Sequence, residues 1–197
     1  MNHYFKPNSH LEHKEIEINY AYKLNIFNFI SDAGVFSKNN VDYGTDILLK
    51  NIPELRGSVL DIGCGYGCTG IVLGKTYDID VTLSDINDRA VELAEKNAKI
   101  NGVGAKIIQS DGFENISENF DAIILNPPIH AGKKAIYSIY RGVYGHLNRN
   151  GEFYIVIQKK HGALSHRKEL GEIFGAENCF TVYSKKGFYV FKMVKED

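Results

Sequence analysis

Past residue 57 the chain settles into a rhythm that admits few folds. "SVLDIG" (58–63), "DIDVTLSDI" (78–86), "AKIIQSD" (105–111), "FDAIILN" (120–126) and "GEFYIVIQ" (151–158) are short apolar runs rich in β-branched residues. Between them lie "CTGIVLGKTY" (68–77), "DRAVELAEKNAKIN" (88–101) and "KKAIYSIYRGVYGHL" (133–147), which carry helix formers. Ala90, Leu93, Ala94 and Ala98 fall along one side of the second, and Ala135, Ile139, Val143 and Leu147 recur at near-helical spacing in the third. Strands that are apolar throughout need cover on both faces. The alternation therefore predicts an α/β fold, a mostly parallel sheet with helices on both sides.

The flanks read differently. "HRKELGEIFG" (166–175) is a helix candidate, and "CFTVYSKKGFYVFKMV" (179–194) reads as two strands about a Lys-Lys-Gly turn, an antiparallel hairpin ending the sheet. At the other end, "EIEINYAYKLNIFNFI" (15–30) alternates with period two and predicts one or two strands. "SDAGVFSKNNVDYGTD" then crosses the surface, and "TDILLKNIPEL" is a short helix with Thr45 as its cap. Repeats, linkers and low-complexity tracts are missing. The 197 residues are expected to form a single domain, with a core over 55–194 and a short β-rich N-terminal extension over 1–35.

A formal charge of −1 argues against attachment to nucleic acid by bulk charge, though it leaves room for a local basic patch. Cys64, Cys68 and Cys179 follow no disulfide framework, and structural zinc needs about four ligands, so no metal is expected. The start, "MNHYFKPNSHLEHKE", lacks the apolar core of a signal peptide, and no run approaches the roughly 20 apolar residues of a membrane span. A cytoplasmic protein without a membrane partner is expected.

"VLDIGCGYGCTG" sets Asp61, Gly63, Gly65 and Gly67 where a strand gives way to a helix. Open sheets bind ligands outside the carboxyl ends of their strands, and glycines there permit close approach. A dinucleotide site wants G-x-G-x-x-G, but counting from Gly63 the last position is Cys68. Asp85, 24 residues after Asp61, ends the next strand and is suited to ribose hydroxyls. Asp61 is unfavourable beside a diphosphate and favourable beside a cationic amino group. Together these features favour S-adenosylmethionine over NAD.

"VLDIGCGYG", "SDIN", "QSDGF" and "NPP" together resemble the successive motifs of the class I S-adenosylmethionine-dependent methyltransferases, over roughly 55–194. The resemblance implies a Rossmann-like seven-stranded sheet. It also implies a glycine loop (Asp61, Gly63, Cys64, Gly65 and Gly67) around the methionine part of the cofactor, and Asp85 on the ribose. Asp111 and Gly112 then contact the adenine, and Phe113 or Ile86 packs on its ring unless both are core residues. Asn126 closes the cofactor side.

"LNPPIHAGK" (125–133) carries the chemistry. A residue before proline avoids the α region, so Asn126 and Pro127 are both driven to extended geometry. That presets the Asn126 side-chain oxygen and the Pro127 carbonyl as two acceptors for the N–H groups of an exocyclic amine. The lone pair of such an amine is delocalised into its ring. Two acceptors favour pyramidalisation as positive charge develops on nitrogen, which is stabilisation specific to the transition state.

N-P-P-aromatic is the signature of methyltransferases acting on adenine, guanine or glutamine-amide nitrogens. "GVFSKNNVDYGTDILL", "LDIGCGYGCTGI", "DINDRAVELAEKNAKING" and "NPPIHAGK" are more closely similar to the catalytic half of the ribosomal RNA small-subunit guanine-N2 methyltransferases, which carry N-P-P-F-H-x-G, over about 34–160. This chain departs from them at Ile129, where a base-stacking phenylalanine is expected. Ile129 supplies only an apolar wall, or Phe36 covers the base, or the substrate differs; Phe36 itself either lines the site or plugs the core. Pro128 belongs to the same wall. His130 either contacts substrate or serves local structure, and the amine needs no general base before attack. Lys133–Lys134 and Lys159–Lys160–His161 follow two strands at the ligand edge, where they either meet RNA phosphates or form a solvated surface; Arg167–Lys168 is a third basic pair.

The expected activity is methyl transfer from S-adenosylmethionine to guanine N2 in ribosomal RNA. The alternatives are a protein-glutamine or small-molecule N-methyltransferase and a non-enzymatic RNA-binding protein. Related enzymes often carry a further N-terminal domain. The expectation is therefore a monomer or small homo-oligomer, or a chain that recognises RNA with another protein.

Overall fold

The computed structural model describes residues 15–32 and 40–196. Two strands, β1 (Glu15–Tyr22) and β2 (Asn25–Asp32), pair antiparallel along their whole length, as the period-two pattern requires. Ile18, Tyr22, Phe27 and Phe29 are buried on the inner face, while Leu24 and Ile26 are exposed at the tip. Residues 1–14 and 33–39, the latter including Phe36, lie outside the described residues, as do the ends expected for the N-terminal extension.

Helix α1 spans Tyr43–Asn51, starting three residues earlier than a cap at Thr45 implies and stopping short of the expected end at Leu55. Its cap is Asp42, whose carboxylate accepts the Thr45 backbone N–H at 3.1 Å. Thr45 is thus three residues inside the cap, because an aspartate there satisfies an orphan N–H of the first turn.

The alternating region forms β3 (Gly57–Ile62), α2 (Cys68–Thr76), β4 (Ile79–Asp85), α3 (Asp88–Asn101), β5 (Ala105–Gln109), β6 (Phe120–Leu125), α4 (Lys133–His146), β7 (Leu147–Gln158), α5 (Ala163–Phe174), β8 (Cys179–Lys185) and β9 (Phe188–Val194). The seven core strands make one sheet in the order β5-β4-β3-β6-β7-β9-β8. β3 to β7 run parallel, and β9 is antiparallel to both its neighbours. The expected hairpin turns at Lys186 and Gly187, both at positive φ, as a two-residue turn matched to strand twist demands.

Successive strand residues serve opposite layers. Val59, Val81, Leu83, Ala122, Ile124, Tyr154 and Val156 pack with α1, α2, α3 and the β1–β2 hairpin. Leu60, Ile62, Ile123, Leu125, Phe153, Ile155 and Ile157 pack with α4 and α5. This two-sided burial accounts for the unbroken apolar runs. On α4 the buried stripe is Ile136, Tyr140 and Val143, continued by Leu147; Ala135 and Ile139 are only half-buried. The expected face is therefore rotated by about one position, because the bulkier Ile136 and Tyr140 fill the space over β7.

The hairpin is bolted to α3 by asparagines. Asn97 accepts the Ile30 N–H at 2.7 Å and donates to the Ile30 carbonyl at 2.9 Å. One turn on, Asn101 accepts the Asn28 N–H at 3.1 Å and donates to the Asn28 carbonyl at 2.8 Å. Four helical residues rise ~6 Å and two strand residues ~6.6 Å, so the two amides meet the free edge of β2 in register. Arg89, in the first turn of α3, forms a buried ion pair with Asp32 at the end of β2.

Candidate active site

Strand order reverses at β3, which has β4 on one side and β6 on the other. The carboxyl ends of these three strands are where a doubly wound sheet opens to a ligand. Asp61 ends β3 and is 3% exposed; its carboxylate accepts the Gly70 N–H of α2 at 2.9 Å. Gly70 presses on β4, since a Cβ there would stand 2.2 Å from Leu83 Cδ2 and 3.2 Å from Asp61 Cβ. Gly67 has φ +87°, and a Cβ would lie 2.8 Å from Ile71 Cδ1. The loop between β3 and α2 thus turns sharply with no room for side chains at those points.

Hydrogen bonds hold this loop from several sides. The Cys64 N–H donates to the Ser84 carbonyl at 2.9 Å and the Gly65 N–H to the Asp85 carboxylate at 2.9 Å. The other Asp85 oxygen accepts the Asn87 N–H at 2.9 Å. Asn97, already bound to β2, also donates to the Tyr66 carbonyl at 2.8 Å. Burial chiefly, and then the neighbouring Asp85, push the Asp61 carboxyl up to about 7, against the opposing Gly70 N–H. Burial also raises Asp85, opposed by the N–H groups of Asn87, Gly65 and Ile86. Two carboxylates whose ionisation is disfavoured by burial are matched by a ligand that brings a positive charge and hydroxyl donors.

Asp111, Gly112 and Phe113 follow β5, on the same side of the sheet. Asp111 is exposed, and the Ser110 hydroxyl donates to the Gly112 carbonyl at 3.0 Å. The Phe113 ring stacks on His146 at 4.4 Å and lies against Gly142, where a Cβ would come within 2.3 Å of it. Phe113 is thus engaged with α4. Ile86 is half-buried beside Asp85, and its carbonyl accepts the Gln109 side-chain amide at 3.2 Å.

Beyond β6, Asn126 is half-buried, Pro127 is buried, and Pro128 caps a short 3-10 turn over Ile129–Ala131. The corner abuts the glycine loop: a Cβ on Gly63 would lie 3.9 Å from Leu125 Cδ1. The Asn126 amide nitrogen donates to the Asp42 carboxylate at 3.2 Å and to the Thr45 hydroxyl at 3.0 Å. Helix α1 thus fixes the direction of the amide. Asp42 and Thr45 were not among the expected site residues, although both stand in the quoted stretch "VDYGTD". A capping aspartate followed by glycine and a hydroxyl was the available signal.

Ile129 is half-buried and packs toward the layer built on α4, while His130 is exposed. Lys133 begins α4, and Lys159, Lys160 and His161 form a short turn after β7. The Lys133 ammonium lies 3.7 Å from where a Gly162 Cβ would be, so these two groups share one rim. Burial, then the charges of Lys160 and His130, hold His161 below its ordinary value. Arg167 turns elsewhere, donating to the Cys179 carbonyl at 3.3 Å, and Lys168 faces Glu172 at 3.9 Å.

Comparison with known proteins identifies the family. Residues 26–192 match the methyltransferase small domain. The uncharacterized protein YbxB of Bacillus subtilis (strain 168) is 40% identical over 199 residues, covering 98% of both chains. The ribosomal RNA small subunit methyltransferase C of Shewanella pealeana is 35% identical over 162 residues, covering 80% of this chain and 47% of that protein. This chain spans about half the length of such methyltransferase C relatives. Among solved structures, the T. thermophilus 16S rRNA N2 methyltransferase (RsmC) in complex with AdoMet and guanosine superimposes with a TM-score of 0.83 at 26% identity, covering 92% of this chain and 51% of that one. The chain belongs to the methyltransferase small domain family, among the class I S-adenosylmethionine-dependent methyltransferases.

Proposed function

We propose that this protein transfers a methyl group from S-adenosylmethionine to the N2 amine of a guanine in ribosomal RNA. The observation that carries the reading is the Asn126 amide, whose nitrogen is engaged by Asp42 and Thr45 so that its oxygen is left to accept, beside the glycine loop. An acceptor there suits a substrate amine, which presents N–H donors.

The cofactor supplies an electrophilic methyl group on a sulfonium centre. Asp61 would hold its ammonium group beside the glycine loop of Gly63, Cys64, Gly65 and Gly67, and Asp85 would accept from the ribose hydroxyls. Ile86 would pack on its adenine and Asp111 and Gly112 would meet its edge, while Phe113, packed against α4, would brace that wall. Asn126 and Pro127 accept the two N–H groups of the guanine amine. As the carbon–nitrogen bond forms, the methyl carbon–sulfur bond would break with its electron pair kept by sulfur as a neutral thioether, and the charge gained by nitrogen strengthens both hydrogen bonds. Water takes the proton afterwards.

Pro128 and Ile129 form the apolar side of the base site, His130 stands at its mouth, and Phe36 is the residue proposed to cover the base. Lys133 and Lys159 share the rim and suit the phosphates that flank an unstacked nucleotide. The near-neutral total charge is compatible with this, because Lys133, Lys159 and Lys160 follow the ends of β6 and β7 as a local group. The substrates named for the methyltransferase C relatives and for the RsmC complex support the choice of ribosomal guanine. We further propose a cytoplasmic setting and recognition of the RNA by the protein alone, as a dimer, or with a partner protein.

The test is incubation with labelled S-adenosylmethionine and unmodified whole RNA, followed by nucleoside analysis. N2-methylguanine is expected. Label that survives nuclease and stays with protein refutes the RNA reading in favour of a glutamine acceptor.

A further inference from the structure

The Asn126 side chain faces a problem that its own backbone does not solve. An amide offers an acceptor on one side and donors on the other, and rotation about its last bond is broad and roughly two-fold. Only one of the two orientations can accept from an amine. The other would set N–H against N–H.

The N-terminus of α1 decides between them. The two amide hydrogens of Asn126 are met by the Asp42 carboxylate at 3.2 Å and the Thr45 hydroxyl at 3.0 Å. A carboxylate accepts and never donates, so the reversed amide would put oxygen against oxygen. Asp42 is itself held: the oxygen that faces Asn126 also accepts the Thr45 backbone N–H at 3.1 Å. The helix behind it is anchored by buried Ile47, Leu48 and Leu49. Gly44 gives the needed clearance, since a Cβ there would stand 2.8 Å from the Asp42 carboxylate and 3.7 Å from the Asn126 nitrogen.

We propose that Asp42 and Thr45 are positioning residues that lock Asn126 as an acceptor and raise its accepting power. The inference rests on the methyl-transfer reading above. A carboxylate behind the amide polarises it, drawing negative charge toward the oxygen. It also places a fixed negative charge one residue away from the nitrogen that becomes positive, and such preorganised charge acts most strongly at the transition state. The substrate class is thereby narrowed to amines with an N–H to donate.

Asp42→Asn keeps a helix cap and removes the charge, so it separates positioning from folding. Single-turnover methyl transfer to unmodified RNA at saturating cofactor is expected to slow by about tenfold or more. Cofactor affinity and melting temperature should stay near wild type. Thr45→Val should slow transfer and Thr45→Ser restore it. In an Asn126→Ala background, Asp42→Asn should add less than about twofold, because both act through one amide. An unchanged rate in Asp42→Asn, or full additivity with Asn126→Ala, overturns the proposal.

A second measurement needs no substrate. The Asn126 side-chain amide protons, identified in ¹⁵N–¹H spectra by their loss in Asn126→Ala, are expected to move in Asp42→Asn. If they do not move, the lock is refuted. If the wild-type protein transfers no methyl group, the functional reading falls, and these spectra still decide the positioning.

Discussion

Asn97→Ala tests whether the β1–β2 hairpin is part of the cofactor site or only attached to it. The side chain is fully buried and makes three hydrogen bonds, to the Ile30 N–H, the Ile30 carbonyl and the Tyr66 carbonyl. Each buried bond contributes about 1 kcal/mol net, so the substitution should destabilise by roughly 3 kcal/mol, with the orphaned backbone groups making this a lower bound. For a chain of this size each kcal/mol lowers the melting temperature by about 2–4 °C, which predicts a fall of roughly 6–12 °C. Asn101→Ala is the control. It loses the two bonds to Asn28 and a third to the Asn97 carbonyl at 2.9 Å, for a similar total of about 3 kcal/mol, but touches nothing in the glycine loop.

The two variants should therefore separate in a binding assay. Without Asn97, Tyr66 loses its tie to α3, and cofactor binding must order that residue. Ordering one backbone residue costs about 1–2 kcal/mol, so affinity should drop roughly fivefold to thirtyfold by calorimetry. Asn101→Ala should bind the cofactor as wild type does. Equal affinities in the two variants would refute the coupling.

Asn126→Ala is expected to slow methyl transfer by roughly tenfold to a thousandfold while cofactor affinity is retained; parallel loss of both in kinetics and calorimetry would remove Asn126 from the chemistry. Asp61 predicts a pH dependence. Its carboxyl is raised from 3.8 to about 7, so its contribution to the stability of the free protein is complete below about pH 4 and is lost as pH rises through about 7. A cationic ligand reverses the balance, so cofactor affinity should rise with pH and level off above about 7, with proton uptake by buffer visible in calorimetry. Asp61→Asn should flatten that profile, and a persistent slope in the variant counts against Asp61. Gly70→Ala forces a methyl group into Leu83 and should destabilise by about 1–3 kcal/mol in urea unfolding while weakening the cofactor; unchanged stability would mean α2 does not rest on β4 as described.

Much of the fold could be read from pattern alone. Helix α3 occupies Asp88–Asn101, the stretch its apolar spacing predicted, and the continuous apolar strands are buried on both faces. Local geometry sufficed there, because periodicity directly reports which side is covered. Where two candidate stripes existed, as on α4, side-chain size decided between them and the expected face moved from Ala135 and Ile139 to Ile136 and Tyr140. The start of α1 moved for a different reason: Asp42 and Thr45 are both good caps, and spacing does not say which one turns its oxygen inward.

At the site the division is sharper. Glycines, terminal carboxylates and the Asn-Pro-Pro corner announce themselves in sequence because each acts through its own backbone or its place at a strand end. Buried asparagines and a capping aspartate act across distance. Asn97 reaches a residue 67 positions away and Asp42 one 84 positions away, and no local rule assigns such partners. The chain itself specified a parallel sheet, a glycine loop at a strand's end and an Asn-Pro-Pro corner after another. Tertiary packing chose which way the Asn126 amide points and what steadies the loop at Tyr66, because a side-chain hydrogen bond is settled by whatever surface folding brings opposite it.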